Sequence, residues 1–150
     1  RVSLYNAISL DDVKALTAGG HSWQMAGDYK GKEVENVAAC TSCHKDLTNF
    51  NRTAYGDYDG NGKAEGVQTE IAGLLKLVEA QLPKDSAGAV LSSTISATNT
   101  TELQRQAIWN YAVIKNDKSN GVHNTGFAVQ VLQRTYKQLT GKDVPGATIR

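Results

Sequence analysis

The chain has 150 residues, 40% hydrophobic and 21% charged, with 16 Lys plus Arg against 15 Asp plus Glu and a formal charge of +1. That length suits a single domain, 1–150, with one core. The near balance of charge, and the lack of any basic cluster interleaved with aromatics, disfavour nucleic acid or an anionic lipid surface as partner. No apolar run approaches the ~18 residues a membrane helix needs, since the longest, Ile71 to Val78, is interrupted by Lys76. The chain begins at Arg1 rather than Met, which reads as a mature protein or a fragment whose export signal was removed or never included.

In chain order, residues 9–18 suggest a short amphipathic helix, with Ser9 as N-cap, Asp11 and Asp12 in the first turn, and Gly19-Gly20 as the stop. A polar, glycine-bearing stretch, 21–33, reads as loop, and 34–39 is compatible with a small helix. Residues 49–66 are dense in Gly, Asn and Asp and read as an ordered or liganded loop. Three longer helices are expected after it. Over 67–82, Val67, Ile71, Leu74, Leu75, Val78 and Leu82 keep helical spacing and Pro83 ends the run.

A Ser/Thr/Ala linker, 85–100, leads to a second helix capped by Thr100 or Thr101. It carries Leu103, Ala107, Trp109, Tyr111 and Ile114 almost all round and runs to about Asn116. Asn124 or Thr125 caps the third, which runs through Phe127, Val131, Leu132, Tyr136 and Leu139 to Gly141. No segment alternates convincingly as a strand. The expected fold class is all-α, with four to five helices and long ordered loops.

The only two cysteines stand in Cys40-Thr41-Ser42-Cys43-His44, beside one of only three histidines. A c-type haem is held by two thioether bonds from cysteine sulfurs to its vinyl carbons. A two-residue gap lets one turn of chain span those vinyls, and the adjacent histidine places its imidazole under the iron. Other readings of the pair are a redox dithiol, a zinc site and chance. A dithiol of thioredoxin type calls for a preceding strand in a βαβ setting. Zinc calls for four ligands, and no second Cys-x-x-Cys or spaced histidine pair is present. The coincidence of both cysteines and a histidine in five residues favours one covalent haem c, with Cys40 and Cys43 as anchors and His44 as proximal ligand.

Candidates for the second axial position are His21, Met25 and His123. Methionine opposite histidine raises the reduction potential, a second histidine leaves it lower, and an open position admits ligands. Met25, the chain's only methionine, could equally pack on the haem edge. His123 sits where Gly121 permits a turn and Asn124 can cap a helix, so its ring would be held at a rigid helix start. It could also be a polar histidine facing water. The eight aromatics Tyr5, Trp23, Tyr29, Phe50, Tyr55, Tyr58, Trp109 and Tyr111 carry no assigned role beyond excluding water.

Residues 57–70, DYDGNGKAEGVQTE, suggest a modified calcium loop, with oxygens at Asp57, Asp59 and Asn61 and Gly62 at the sharp turn. The twelfth position holds Gln68 rather than Glu, so Glu70 from the following helix would have to be recruited. The competing reading is a hydrogen-bonded Asx/Gly turn capping the 67–82 helix.

The segment SNGVHNTGFAVQVLQ resembles the Ser-x-Gly-(Val/Phe)-His-Asn-(Pro/Thr) segment near the end of many bacterial multihaem cytochromes c, pentahaem nitrite reductases among them. The run from Cys40 to Leu82 is similar to a recurring block of the same group: haem motif, acidic glycine loop, then a Gly-Val-Gln helix. The resemblance covers about 40–136. It implies that His123 is an axial ligand, ahead of His21, although in such relatives that histidine can serve a haem bound elsewhere. It departs from them in carrying one haem motif, and the lysine-ligated catalytic haem of the nitrite reductases has no counterpart.

The expectation is therefore an exported, periplasmic or extracellular, monohaem cytochrome c with bis-histidine iron. It would be an electron carrier rather than an enzyme, exchanging single electrons with other redox proteins, other cytochromes foremost, in respiratory or extracellular electron transfer, and forming an oligomer or larger assembly if a histidine reaches across. A haem-based sensor, or a haem subunit of a larger multihaem redox assembly, is the alternative.

Overall fold

The computed structural model describes residues 25–91 and 95–150. The helix expected over 9–18, together with His21 and Trp23, lies outside the described residues. The chain divides into two units, Arg1–Phe50 and Asn51–Arg150.

In the first unit, residues 26–35 form an antiparallel hairpin where loop (21–33) and the start of a small helix (34–39) were expected. Strand β1, Ala26–Tyr29, pairs with β2, Lys32–Glu35, in a register that sets Tyr29 opposite Lys32. The turn is therefore Lys30-Gly31, and both residues have positive φ, 52° and 78°. Such a two-residue turn matches the right-handed twist of the strands it joins. Asp28 Oδ1 accepts from Gly31 N at 3.0 Å, and Asn36 N donates to Met25 O at 2.7 Å below the first strand pair. A single 3-10 turn, Val37–Ala39, follows and delivers the chain to Cys40. Buried Phe50 closes the unit, its N–H donating to Glu35 Oε2 at 2.9 Å.

The second unit is helical: α1, Val67–Gln81; α2, Glu102–Asp117; α3, Thr125–Thr140. Each boundary has a local cause. Leu82 precedes a proline and is extended (φ −83°, ψ 148°), which stops α1. Thr101 and Gln104 form a reciprocal capping box on α2. Asn124 accepts from Phe127 N at 3.1 Å on α3, and Gly141 ends α3 at φ 74°.

Helix α3 packs against both α1 and α2. The core combines Val67, Ile71, Leu74 and Val78 of α1, Ala107, Ile108, Tyr111 and Ile114 of α2, and Ala128, Val129 and Leu132 of α3, with Tyr58 and Val144 from the flanking segments. Leu74 and Ile71 are wholly buried, and trimming such a side chain to alanine costs about 2–5 kcal/mol.

Among the described residues, then, the fold is mostly helical, with three α-helices and two short strands. This is fewer than the four to five helices expected, and the hairpin corrects a strictly all-α reading. The second helix is also less apolar all round than expected, for Trp109 is 72% exposed. Among the described residues no helix is long and apolar enough to cross a membrane.

Candidate functional site

The segment carrying the cysteines is one turn of helix-like chain. Cys40 N donates to Val37 O at 2.8 Å, His44 N to Cys40 O at 2.9 Å and Cys43 N to the same carbonyl at 3.2 Å. Thr41 Oγ1 bonds Ala38 O at 3.0 Å, and Leu47 N bonds His44 O at 3.0 Å. Residues three apart on such a turn share a face, so the backbone carries Cys40 and Cys43 on one side.

Both thiols are free, with Cys40 half-buried and Cys43 exposed. The His44 side chain is exposed and has no hydrogen bond among the described residues. One half-buried thiol, one exposed thiol and an exposed imidazole within five residues are the groups that could hold a covalently attached haem. Among the described residues the turn is preceded by an antiparallel hairpin, not by the βαβ setting of a thioredoxin-type dithiol.

His123 lies in the connection between α2 and α3. Lys118, Asn120 and Gly121 all have positive φ, 58°, 47° and 83°, a conformation costing a non-glycine residue roughly 1–2 kcal/mol. Gly121 is required twice over, because a Cβ there would lie 2.7 Å from Ile71 Cγ1. Gln68 Nε2 donates to Ser119 O at 3.2 Å and Thr125 Oγ1 to Gly121 O at 2.9 Å, pinning this tight loop to α1 and α3.

The loop folds His123 back onto the last residue of α2, so that Nδ1 lies 2.7 Å from Asp117 Oδ1. Ser119 Oγ donates to the other carboxylate oxygen, and His123 N approaches Ser119 Oγ at 3.4 Å. Burial pushes the Asp117 carboxyl up. The bonds from Ser119 and His123 outweigh it and hold the group below the usual carboxylate range. The His123 side chain is 71% exposed, and its Nε2 has no hydrogen-bond partner among the described residues.

Met25 is half-buried at the base of the hairpin, and His21 lies outside the described residues.

The acidic loop is organised by Glu70, a buried carboxylate of 0% exposure in the first turn of α1. It accepts from Tyr58 N at 2.7 Å, Asp59 N at 3.2 Å and Glu65 N at 2.7 Å. Asp57 accepts from Gly60 N and Gly62 N, each at 2.7 Å. Asp59 accepts from Asn61 N at 3.1 Å and packs where Gly73 has no Cβ, a Cβ there falling 1.8 Å from Asp59 Oδ2.

Asn61 turns its amide nitrogen to Asp59 and Glu65 and its oxygen to Lys63 N. Burial first, and then repulsion from Glu70, Asp57 and Glu65, raise the Asp59 carboxyl above its ordinary range against the Asn61 backbone bond. Oxygens of Asp57, Asp59 and Glu70 come within 4.8 Å of one another, the one group of this kind among the described residues able to share a metal ion. Buried Gln133 braces the loop, donating to Tyr58 O at 3.0 Å and to Thr148 O at 2.9 Å. The loop is an Asx/Gly turn over α1 that gathers Asp57, Asp59 and Glu70, three of the four side chains named in the calcium expectation, while Asn61 turns its oxygen to Lys63 N.

One cluster escaped the sequence. The Tyr111 hydroxyl donates to Glu79 Oε2, and Lys115 Nζ stands 2.6 Å from that hydroxyl and 3.6 Å from the carboxylate. Lys84 adds a second cation at a similar distance, 3.5 Å from Glu79 Oε1. The Tyr111 hydrogen bond, reinforced by Lys115 and Lys84 and opposed by burial, holds Glu79 low. Burial, then the Glu79 bond, pushes the Tyr111 phenol up. Tyr111 and Lys115 are one helical turn apart, a signal for an i,i+4 pair, but the partner on α1 was invisible without the packing.

No protein-family model, curated protein or solved structure matches the chain.

Proposed function

We propose that the protein is a monohaem c-type cytochrome that carries single electrons, with haem c held by Cys40 and Cys43 and ligated by His44. The observation that carries this reading is the Cys40–His44 turn: two free thiols and an unencumbered imidazole on one helical turn. Such a group supplies an iron that cycles between two oxidation states, and the protein supplies attachment, axial ligands and electrostatics. His123 is the favoured distal ligand, with His21 the alternative. Support for His123 comes from its Nδ1 bond to Asp117, because a metal-bound histidine characteristically donates its other ring nitrogen to a carboxylate or carbonyl.

Two histidine ligands leave no position for substrate, so the activity is outer-sphere electron transfer rather than catalysis. The partners on this reading are other redox proteins, other cytochromes foremost. The compartment is periplasmic or extracellular, and the low potential of bis-histidine iron suits respiratory or extracellular electron traffic. The resemblance to multihaem cytochromes supports the same assignment.

Visible spectra of the oxidised and reduced protein test it. Low-spin, six-coordinate haem that becomes high-spin in His123→Ala is the expected result. Loss in His21→Ala instead would move the distal ligand, and a protein without covalent haem would end the reading. The exposure of His123 favours one second reading, a sensor whose distal ligand is displaced, for which carbon monoxide added to the reduced wild type would change the spectrum.

Calcium in the acidic loop is a separate part of the proposal, supported by the convergence of Asp57, Asp59 and Glu70. Calcium should then raise the thermal midpoint and chelator lower it. An unchanged midpoint would leave the loop as a turn alone.

A further inference from the structure

Asp117 is the last residue of α2, and a carboxylate there faces the negative end of the helix dipole, which disfavours it by about 0.3–1 kcal/mol. Three left-handed residues, Lys118, Asn120 and Gly121, carry the chain straight back over it. Both features oppose local stability. What they secure is one contact, the Asp117 carboxylate against His123 Nδ1 at 2.7 Å, with Ser119 holding the second carboxylate oxygen. Strain kept at a tight loop commonly marks a functional constraint.

The acceptor at Nδ1 has a chemical consequence. A carboxylate can only accept from a neutral or charged imidazole, so the Nδ1 proton stays and a neutral ring carries its lone pair on Nε2. That nitrogen sits on a side chain 71% exposed. A carboxylate held at the outer ring nitrogen orients a histidine and strengthens it as a donor to a metal.

We infer that Asp117, steadied by Ser119, is a positioning residue that presets His123 as an Nε2 ligand and strengthens it as a donor to iron. This rests on the reading of His123 as the distal ligand. Asp117 touches no cofactor and acts through the histidine. The α2–α3 connection is then a ligand mount, and its strained backbone is what aims the ring.

The test compares purified holoprotein variants by midpoint potential, visible spectrum and titration with free imidazole. Asp117→Asn keeps an acceptor and removes the charge, whereas Asp117→Ala removes both. A stronger donor favours ferric iron, so both variants should shift the midpoint potential to more positive values. The imidazole concentration that displaces His123 should fall, about 10-fold or more for Asp117→Ala. Ser119→Ala should lie between those variants and wild type, and Asp117→Glu should restore part of the effect. Thermal unfolding of each variant separates this from a folding defect, which would leave the potential of the folded fraction unmoved.

Unchanged potential and displacement in Asp117→Asn and Asp117→Ala, with His123→Ala still turning the haem high-spin, would overturn the inference and leave the ligand assignment standing. A wild-type spectrum in His123→Ala would remove the ligand assignment, and the inference with it.

Discussion

The cysteine turn and the acidic loop are both short, unusual in composition and recognisable before any fold is known, but their polar groups are used in opposite ways. In the acidic loop, Asp57, Asp59 and Glu70 are occupied by the amides of Tyr58, Asp59, Gly60, Asn61, Gly62 and Glu65. The loop completes itself, and a metal would add to an arrangement that already stands. In the cysteine turn the backbone satisfies itself through Val37, Cys40 and His44 and leaves the His44 ring and both thiols out of that ladder, with only the Ser42 hydroxyl donating to Cys43 Sγ at 3.9 Å. Saturation by the chain's own amides ties the acidic carboxylates to the fold, whereas the side chains of the cysteine turn contribute little to it and are open to the role proposed for them.

The comparison predicts different failures. The largest effect is chemical. With haem attached as proposed, Cys40→Ala with Cys43→Ala should abolish covalent attachment altogether, and either alone should leave a single thioether, both read by mass spectrometry of the denatured protein. Retention of covalent haem in the double variant would break the contrast, since no other cysteine is present.

The acidic loop should fail by unfolding instead. Glu70→Ala strands three backbone amides around a fully buried site, and each unsatisfied group costs about 1–3 kcal/mol. A loss of at least about 3 kcal/mol is expected from denaturant midpoints at constant slope. A loss below about 1 kcal/mol would mean that the loop is not what braces the start of α1.

The smallest effect sharpens the comparison at a third place, the Glu79–Tyr111–Lys115 cluster. Glu79 is held low in the folded state, chiefly by the Tyr111 hydrogen bond. Its contribution is therefore present above the unfolded value near pH ~4.3 and is lost as pH falls through the lower folded value. Lys115 is raised, first by its bond to Tyr111. Its contribution is full below about pH 10 and is lost as pH rises through the folded value. Glu79→Gln should flatten the acid limb and lower the neutral plateau by on the order of 0.5–1 kcal/mol, since the carboxylate is 38% exposed and screened by solvent. Stability measured against pH from 2 to 7 checks it, and an acid limb unchanged in the variant would assign the limb to other carboxylates.

Much of the helical unit was legible from particular residues. The spacing of Ile71, Leu74, Leu75 and Val78, the stop at Pro83, the capping oxygens of Thr101 and Asn124 and the glycine at 141 all act within a turn or two of chain. The hairpin was not legible, because four-residue strands give little alternation and Lys30 is not a residue that announces a turn with positive φ. Glu70 was named as a late recruit to a calcium loop; its role as acceptor for three loop amides, and the need for Gly73 beside Asp59, depend on how the loop lies over α1.

The sequence by itself determined where the helices begin and end, which face α1 buries, and that the chain's reactive groups concentrate in Cys40, Cys43 and His44, because capping, periodicity and side-chain chemistry are local. Only the tertiary structure decided that Glu79 would meet Tyr111 across two helices, that Glu70 would gather the acidic loop, and that Asp117 would hold His123 by one nitrogen and leave the other outward. Those pairings depend on the packing of helices and on the seven-residue connection from Lys118 to Asn124, and neither the direction of a side chain nor the atom it meets can be read from its place in the chain.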